Sequence, residues 1–280
     1  MKHPALTSLL VFFCLALTTQ TTLCQNGLPP IGGARSAGMG YTGVTYTDIH
    51  SVFTNQAGLA MIDKFAATAF AEQRFFLSEL QGISAGAALP TNSGTFGVSV
   101  NYFGFEDYNE QRAGLAYGRK LNEKLALGAQ LLVLNTSIPE YGNKTNVTFE
   151  VGLLSNLLPE LQLGFHVYSP ARIQLVEDEF LPSLFRLGLN YSPSDKLQIL
   201  AEVEKNIDYP VRSKFGLEYT LFDAFKMRVG AATEPLNLSF GLGYQLGNGL
   251  SLDIASTYHD ILGFTPTAGV SYAIQKDNNQ

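Results

Sequence analysis

From about Ile83 to the C-terminus, apolar residues alternate with small or polar ones at a period of two, the pattern of a pleated strand whose successive side chains face opposite ways. In residues 95–102, Phe96, Val98, Val100 and Tyr102 fall on one face and Thr95, Gly97, Ser99 and Asn101 on the other. Val147, Phe149, Val151 and Leu153 likewise oppose Asn146, Thr148, Glu150 and Gly152, and Leu236, Leu238, Phe240, Leu242 and Tyr244 oppose Asn237, Ser239, Gly241, Gly243 and Gln245. The alternation predicts about fourteen strands after residue 63, most of about 8 to 11 residues, a length that crosses a bilayer at the tilt of a barrel. Connections alternate as well. Tight turns at 92–94, 122–123, 193–195, 222–224 and 247–249 interleave with longer segments at 73–81, 137–144, 170–182 and 206–210. This is the layout of an all-β, transmembrane antiparallel barrel with short turns at one end and long loops at the other. Tyr102, Tyr117, Tyr168, Tyr191, Tyr219, Tyr244 and Tyr258 stand at strand ends, where an aromatic girdle would lie. A soluble β-sandwich also alternates, but its polar faces would carry many Lys, Glu and Thr; here they are Gly, Ala, Ser and Asn with single charges, which suits a narrow lumen.

Composition sharpens this picture. Of 280 residues, 46% are hydrophobic and only 15% are Asp, Glu, Lys or Arg, against roughly a quarter in soluble domains. Nineteen Phe and 13 Tyr exclude a disordered chain. No run of about 20 apolar residues follows the N-terminal leader, so a helical membrane protein is disfavoured. A formal net charge of −6 offers no footprint for nucleic acid. Lys2 followed by the apolar stretch 5–19 predicts a signal peptide over 1–24, cut before Gln25, with a lipidated Cys24 as the rival reading. Cys14 and Cys24 both lie in that leader, leaving the exported chain without thiols. The expected organisation is therefore a signal peptide (1–24), an N-terminal plug-like segment (25–62), a barrel (63–274) and a short tail (275–280), placed in the outer membrane of a Gram-negative bacterium. Near the end, Thr267, Gly269, Tyr272 and Ile274 resemble the terminal signal read by the outer-membrane barrel assembly machinery, which is then an expected partner alongside outer-membrane lipid.

Arg112, Glu150, Arg186, Glu202, Arg212, Lys214, Glu218, Lys226, Arg228 and Asp253 share the face of the small residues, with both signs on adjacent strands. The favoured reading is a paired network that keeps charge off the lipid; the other is a polar conduit. Leu132, Leu134, Leu154, Tyr168 and Leu200 also have inward parity, few for an apolar pocket. Gly38, Gly40 and Gly43 spell G-x-G-x-x-G, but no strand precedes and no helix opens after them, so a dinucleotide site is not expected. His50, His166 and His259 are too scattered for a metal site, and no G-x-S-x-G is present. No catalytic residue, cofactor or metal is expected.

Residues 31–60 carry a motif. Gly33, Ala34, Arg35, Gly38, Met39 and Gly40, then Asp48, then Asn55, Ala57, Gly58 and Leu59, resemble the G-A-R-x-x-G-M-G, acidic and N-P-A-G-L elements of the FadL-like superfamily of long-chain fatty acid transporters, and more closely its PorV/PorQ-like branch. Gln56 replaces the usual proline, which frees φ and restores a backbone N–H. The resemblance implies fourteen strands around a plug, no enzymatic activity, and a role accessory to type IX protein secretion, with secretion components or cargo as partners; its alternative is FadL-type passive transport of hydrophobic small molecules. Residues 48–60 are expected to form a short helix with Asp48 as N-cap, Asn55 to cap a turn, and the motif to be structural. The amphipathic segment 170–182 would suit a protein partner or fold onto its own rim.

Overall fold

A chain that alternates for most of its length can bury its polar face only by closing on itself, and the computed structural model shows that closure. Residues 32–139, 142–171, 173–176 and 179–274 are described; the leader, the possible lipidation site at Cys24 and the tail 275–280 lie outside them. The strands are β1 (Ala66–Gln73), β2 (Gln81–Thr91), β3 (Gly94–Phe105), β4 (Tyr108–Lys120), β5 (Leu125–Ile138), β6 (Gly142–Leu158), β7 (Leu161–Tyr168), β8 (Gln174–Val176), β9 (Glu179–Phe180), β10 (Leu184–Ser194), β11 (Leu197–Asn206), β12 (Val211–Phe222), β13 (Phe225–Ala232), β14 (Asn237–Gln245), β15 (Leu250–His259) and β16 (Gly263–Ala273). All except the β8–β9 pair form one closed, fourteen-stranded antiparallel barrel, sealed where β1 meets β16 with Phe70 opposite Gly269. The predicted fold class is correct.

Outward residues are hydrocarbon: Val98, Leu115, Leu131, Val147, Leu187, Phe215, Phe240 and Ile254 are all exposed. Inward residues such as Thr68, Ser99, Thr148, Ser239 and Thr257 are buried. At the end that carries the start of β1 and the end of β16, short turns join the strands at 92–93, 121–124, 159–160, 195–196, 223–224 and 246–249. The opposite end has the long excursions at 74–80 and 169–183, although the connection at 106–107 there is as tight as any. Tyr191, Tyr219 and Tyr244 project outward near the short-turn end, and Tyr258 against Phe264 near the other. Tyr168 does not join them. Its parity turns it inward, fully buried against Leu132, Leu134, Leu181 and Leu184.

Residues 32–62 occupy the lumen. Helix α1 (Gly33–Gly38) packs on β1 and on β13 to β16, helix α2 (Ser51–Thr54) on β2 and β3, and a 3-10 turn (Gln56–Met61) on β3 to β6. The expected single helix over 48–60 is instead broken at Asn55, which is extended at φ −161° and ψ 105°. Asn55 caps the following turn, its side-chain oxygen accepting from the Ala57 N–H at 3.2 Å. Asp48 caps no helix through its side chain, because Arg35 holds one carboxylate oxygen and the His50 N–H donates to the other at 2.9 Å.

Candidate functional site

The plug reaches the wall because the wall carries glycine where they meet. Gly118, Gly128 and Gly152 are direct cross-strand neighbours on β4, β5 and β6. A Cβ on Gly128 would stand 2.2 Å from the Ala57 nitrogen and the Gln56 carbonyl carbon, and one on Gly118 would stand 2.5 Å from the Gln56 oxygen. Across the lumen, Gly216 and Gly230 are paired on β12 and β13 and receive Met39 and Gly40. Gly40 has φ +67°, and a Cβ there would meet the Phe215 and Ala231 carbonyl oxygens at 2.6 and 2.7 Å, so both conformation and space require glycine. Side chains on the wall at these positions would hold the plug away.

The motif arginine anchors this seat electrostatically. Arg35 donates to Glu218 of β12 at 3.0 and 3.1 Å, to Gln198 of β11 at 2.9 Å and to Asp48, with its guanidinium 4.6 Å from the Tyr46 ring centre. Glu218 also accepts from Arg228 at 2.6 Å and has Lys226 3.8 Å away. Arg228 in turn donates to Asp253 at 2.5 Å, two strands away, over Gly243, where a side chain would collide with both. In the plug, burial alone would raise the Asp48 carboxyl; Arg35 and His50 overcome it and hold it below the ordinary carboxylate range. Burial outweighs Asp48 and Asp253 at His50 and pushes that imidazole down.

Three further anchors hold the plug. Glu202 of β11 accepts the Gly43 and Val44 N–H groups at 3.0 and 3.1 Å and pairs with Lys214 at 3.1 Å. Asn55 donates to the carbonyls of Val44 at 2.7 Å and of Leu153 at 3.1 Å. Gln56 donates to Gln130 and Glu150, each at 2.7 Å. His166 completes this cluster. Arg186 donates to its Nδ1 at 2.8 Å, so Nε2 carries the proton and donates to Glu150 at 3.0 Å, the neutral tautomer. Arg186 also donates to the Thr54 carbonyl at 2.9 Å.

Gln56, where the resembled motif has proline, thus has partners of its own. As the first residue of its turn, Gln56 has no intrahelical partner for its N–H, so proline would fit the backbone. Restoring it strips Gln130 and Glu150 of a donor. We expect Gln56→Pro and Gln56→Ala to loosen the plug equally, by about 2 kcal/mol, measured as protease susceptibility of residues 32–62 in the folded barrel.

Of the charges read as lumenal, Arg112, Glu150, Arg186, Glu202, Lys214, Glu218, Arg228 and Asp253 are buried inside the barrel, and Arg212 and Lys226 are half-buried near its two ends. Arg112 pairs with Glu110 at 2.8 Å. The inward leucines do not assemble one pocket: Leu154 packs on Ala57, Leu200 on Met39 and Tyr46, and Leu132 and Leu134 under Ile173 and Leu181 of the long loop. Glu72, Arg74, Gln130, Gln198 and Glu204 are further lumenal groups; the alternation marks Gln130, Gln198 and Glu204 as inward, whereas nothing on β1 marks Glu72. In the terminal signal, Thr267 and Gly269 face inward, Tyr272 outward, and Ile274 follows β16 with its N–H donated to the Phe65 carbonyl at 3.1 Å.

The plug separates two cavities. One of about 390 Å³ opens at the short-turn end, faced by Arg35, Asp48, His50, Lys226, Arg228 and Asp253. The other, about 210 Å³, opens at the loop end and is faced by Tyr41, Arg74, Phe75, Leu184, Arg186 and Arg212.

No protein-family model matches the chain, and no curated protein does. Solved structures do. The Pseudomonas putida toluene transporter TodX aligns over 89% of this chain and 100% of its own, with a TM-score of 0.70 and 13% identity. A Pseudomonas aeruginosa FadL homologue aligns over 89% and 99%, at 0.65 and 14%, and the Ralstonia pickettii toluene transporter TbuX over 87% and 98%, at 0.65 and 13%. At these identities the likeness is one of fold.

Proposed function

We propose that the chain is a non-enzymatic outer-membrane barrel of the FadL type, carrying a small hydrophobic molecule passively across that membrane. The observation that supports this most is the shared architecture, a fourteen-stranded barrel aligning over nearly the whole length of toluene transporters. The export leader and the hydrocarbon outer face agree with the location. The loop-end cavity, with Tyr41, Phe75 and Leu184 in its wall, offers apolar surface inside the lumen.

The motif favours the other reading, an accessory to type IX secretion. Its residues, however, are spent on seating the plug: Arg35 on Glu218, Asp48 on Arg35, Asn55 on Val44 and Leu153. In the loop proposed for a protein partner, Ile173 and Leu181 pack on the barrel's own rim. Both uses serve either function, so the motif does not select secretion. A deletion strain decides between them. We expect slower uptake of radiolabelled toluene with unchanged export of secreted proteins; normal uptake with failed export would reverse the assignment.

A further inference from the structure

The rim at the loop end is stepped, and the step leaves the edge of one strand bare. β6 is the longest strand, and β5 accompanies it to its start, where Ile138 pairs with Gly142. On the other side β7 stops at Tyr168, opposite Glu150, and Ser169, at φ +46°, turns the chain away. The last backbone contact on that side is the Ser169 N–H on the Phe149 carbonyl at 3.1 Å. No described strand continues the ladder beyond it, because Ile173 and Leu181 of the long loop fold inward onto the cluster of Leu132, Leu134 and Tyr168.

Two hydrogen bonds fix which backbone groups are left over. In an antiparallel strand one residue turns both its N–H and its C=O to one neighbour, and the next residue turns both to the other. Phe149 accepts from the β7 side, whereas Asn156 donates to Lys124 on the β5 side at 2.8 Å. Odd residues of β6 thus face β7 and even ones β5. Asn143, Thr145 and Val147 therefore present their N–H and C=O groups to the bare side, and none of these groups has a hydrogen bond among the described residues.

Neighbouring side chains place this edge at the top of the membrane. One row crosses the outer wall as Ala113, Val133 and Val147, and the next row up as Gln111, Asn135 and Thr145, with Asn135 donating to Thr145 at 3.0 Å. Hydrocarbon ends between these rows. Unpaired backbone in open water is cheap, but beside lipid water no longer supplies every partner, so the Val147 groups carry a cost that an added strand would remove. The inward row of the same stretch describes that strand. Lys144 is exposed, and no carboxylate among the described residues pairs with it. The Asn146 side-chain nitrogen is buried without an acceptor. Both are donors on the face where an incoming strand would carry its inward side chains. A lysine beside an open edge disfavours a strand that is basic there, the common protection against promiscuous pairing, and favours one that brings a carboxylate.

We propose that the β6 edge from Asn143 to Val147 receives an extended segment of another polypeptide on the loop side of the membrane, added as a strand, with an Asp or Glu of that segment opposite Lys144. The partner is read by its backbone and by one carboxylate. The inference goes beyond the transport reading and stands or falls separately from it, since the edge belongs to the rim and not to the lumen. Hydrogen exchange in the detergent-purified full chain tests it, with acetyl-Thr-Val-Thr-Glu-Thr-Val-Thr-amide as the probe and the same peptide carrying Lys in place of Glu as its counterpart. The amides of Asn143 and Thr145, above the hydrocarbon, should exchange freely in the protein alone and slow by at least about tenfold at saturating probe. The Glu peptide should bind about fivefold more tightly than the Lys peptide, and Lys144→Glu, a change at an exposed side chain, should reverse the order. Thr145→Pro should abolish binding of both peptides while the barrel keeps its heat-modifiable mobility, because the N–H it removes is not part of the ladder with β5. Should Thr145→Pro not fold, the reversal in Lys144→Glu decides alone. Slow exchange of the two amides before any peptide is added, slowing that rises with protein concentration alone and so reports a second copy, equal binding of the two peptides, an unaltered preference in Lys144→Glu, or full binding by a folded Thr145→Pro each overturns the proposal.

Discussion

Gly128→Val is expected to turn a sealed barrel into a conducting one. The wall at β5 has no room for a side chain while the plug is seated: the first added carbon falls 2.2 Å from two backbone atoms of residues 56 and 57. Flexible side chains elsewhere can move by a few tenths of an ångström, but these atoms belong to a turn fixed on both sides, by Asn55 through Val44 and Leu153 and by Gln56 through Gln130 and Glu150. Overpacking ordinarily costs about 1 to 3 kcal/mol, and a clash against fixed backbone lies at or above the top of that range. The barrel itself is spared. Its ladder hydrogen bonds and outer hydrocarbon face do not involve the Gly128 Cα hydrogens, and with the plug withdrawn a valine has the lumen to fill. Planar-bilayer recordings check this: stable channels from Gly128→Val, and none from the native protein or from Gly247→Ala, where a Cβ meets open space. A variant that keeps its heat-modifiable mobility yet conducts no ions would mean the plug stays seated, and the glycine seat is then unimportant.

The outer surface of this protein was legible in its sequence because lipid imposes one rule on every strand. The inner surface obeys no such rule, since its partners are the plug and the loops. β1 shows the difference: its outward residues Ala67, Ala69 and Ala71 are small, and its largest apolar residue, Phe70, points inward onto Phe53 of the plug. Periodicity there carries the opposite sign from the other strands. Tyr168 misleads for the same reason. Cross-strand pairs such as Glu218 with Arg228 can be read once register is known, because they are opposite one another. Arg35 with Glu218, 183 residues apart, cannot, and neither can the choice of Glu204 for Lys214 over its two facing arginines. The motif marked the plug and Asn55 was legible as a cap, but the same stretch also fitted a single helix, and only the contacts of Asn55 with Val44 and Leu153 decide that the chain is extended there.

Arg35→Met should have the second large effect, and its pH dependence should run opposite to that of the native protein. Arg35 is the one cation contributed by the plug to the cluster in which Glu218, Asp48 and Asp253 meet Arg228 and Lys226. Removing one partner from a fully buried ion pair costs about 3 to 5 kcal/mol, but the Asp48 side chain is 38% exposed to the short-turn cavity, so water offsets part of the loss and about 1 to 3 kcal/mol is expected. Glu218 retains Arg228 at 2.6 Å, so the larger imbalance falls on Asp48, whose carboxylate keeps only the His50 N–H. In the native chain the Asp48 carboxyl is depressed, so its contribution to seating is present above its ordinary value and lost as pH falls through the depressed one. Without Arg35, burial is opposed only by His50 and the same carboxyl moves up; protonating it then relieves the plug instead of releasing it. Protease protection of residues 32–62 should therefore be weaker in Arg35→Met than in the native barrel at pH 7, and should recover on acidification to about pH 4, where the native protein gains nothing. Arg35→Met with Asp48→Asn should recover part of the loss at pH 7, a coupling of about 1 to 3 kcal/mol between contacting sites. Additive losses, or a single mutant whose protection falls further in acid, would show that the plug is held by its glycine seat and backbone anchors alone.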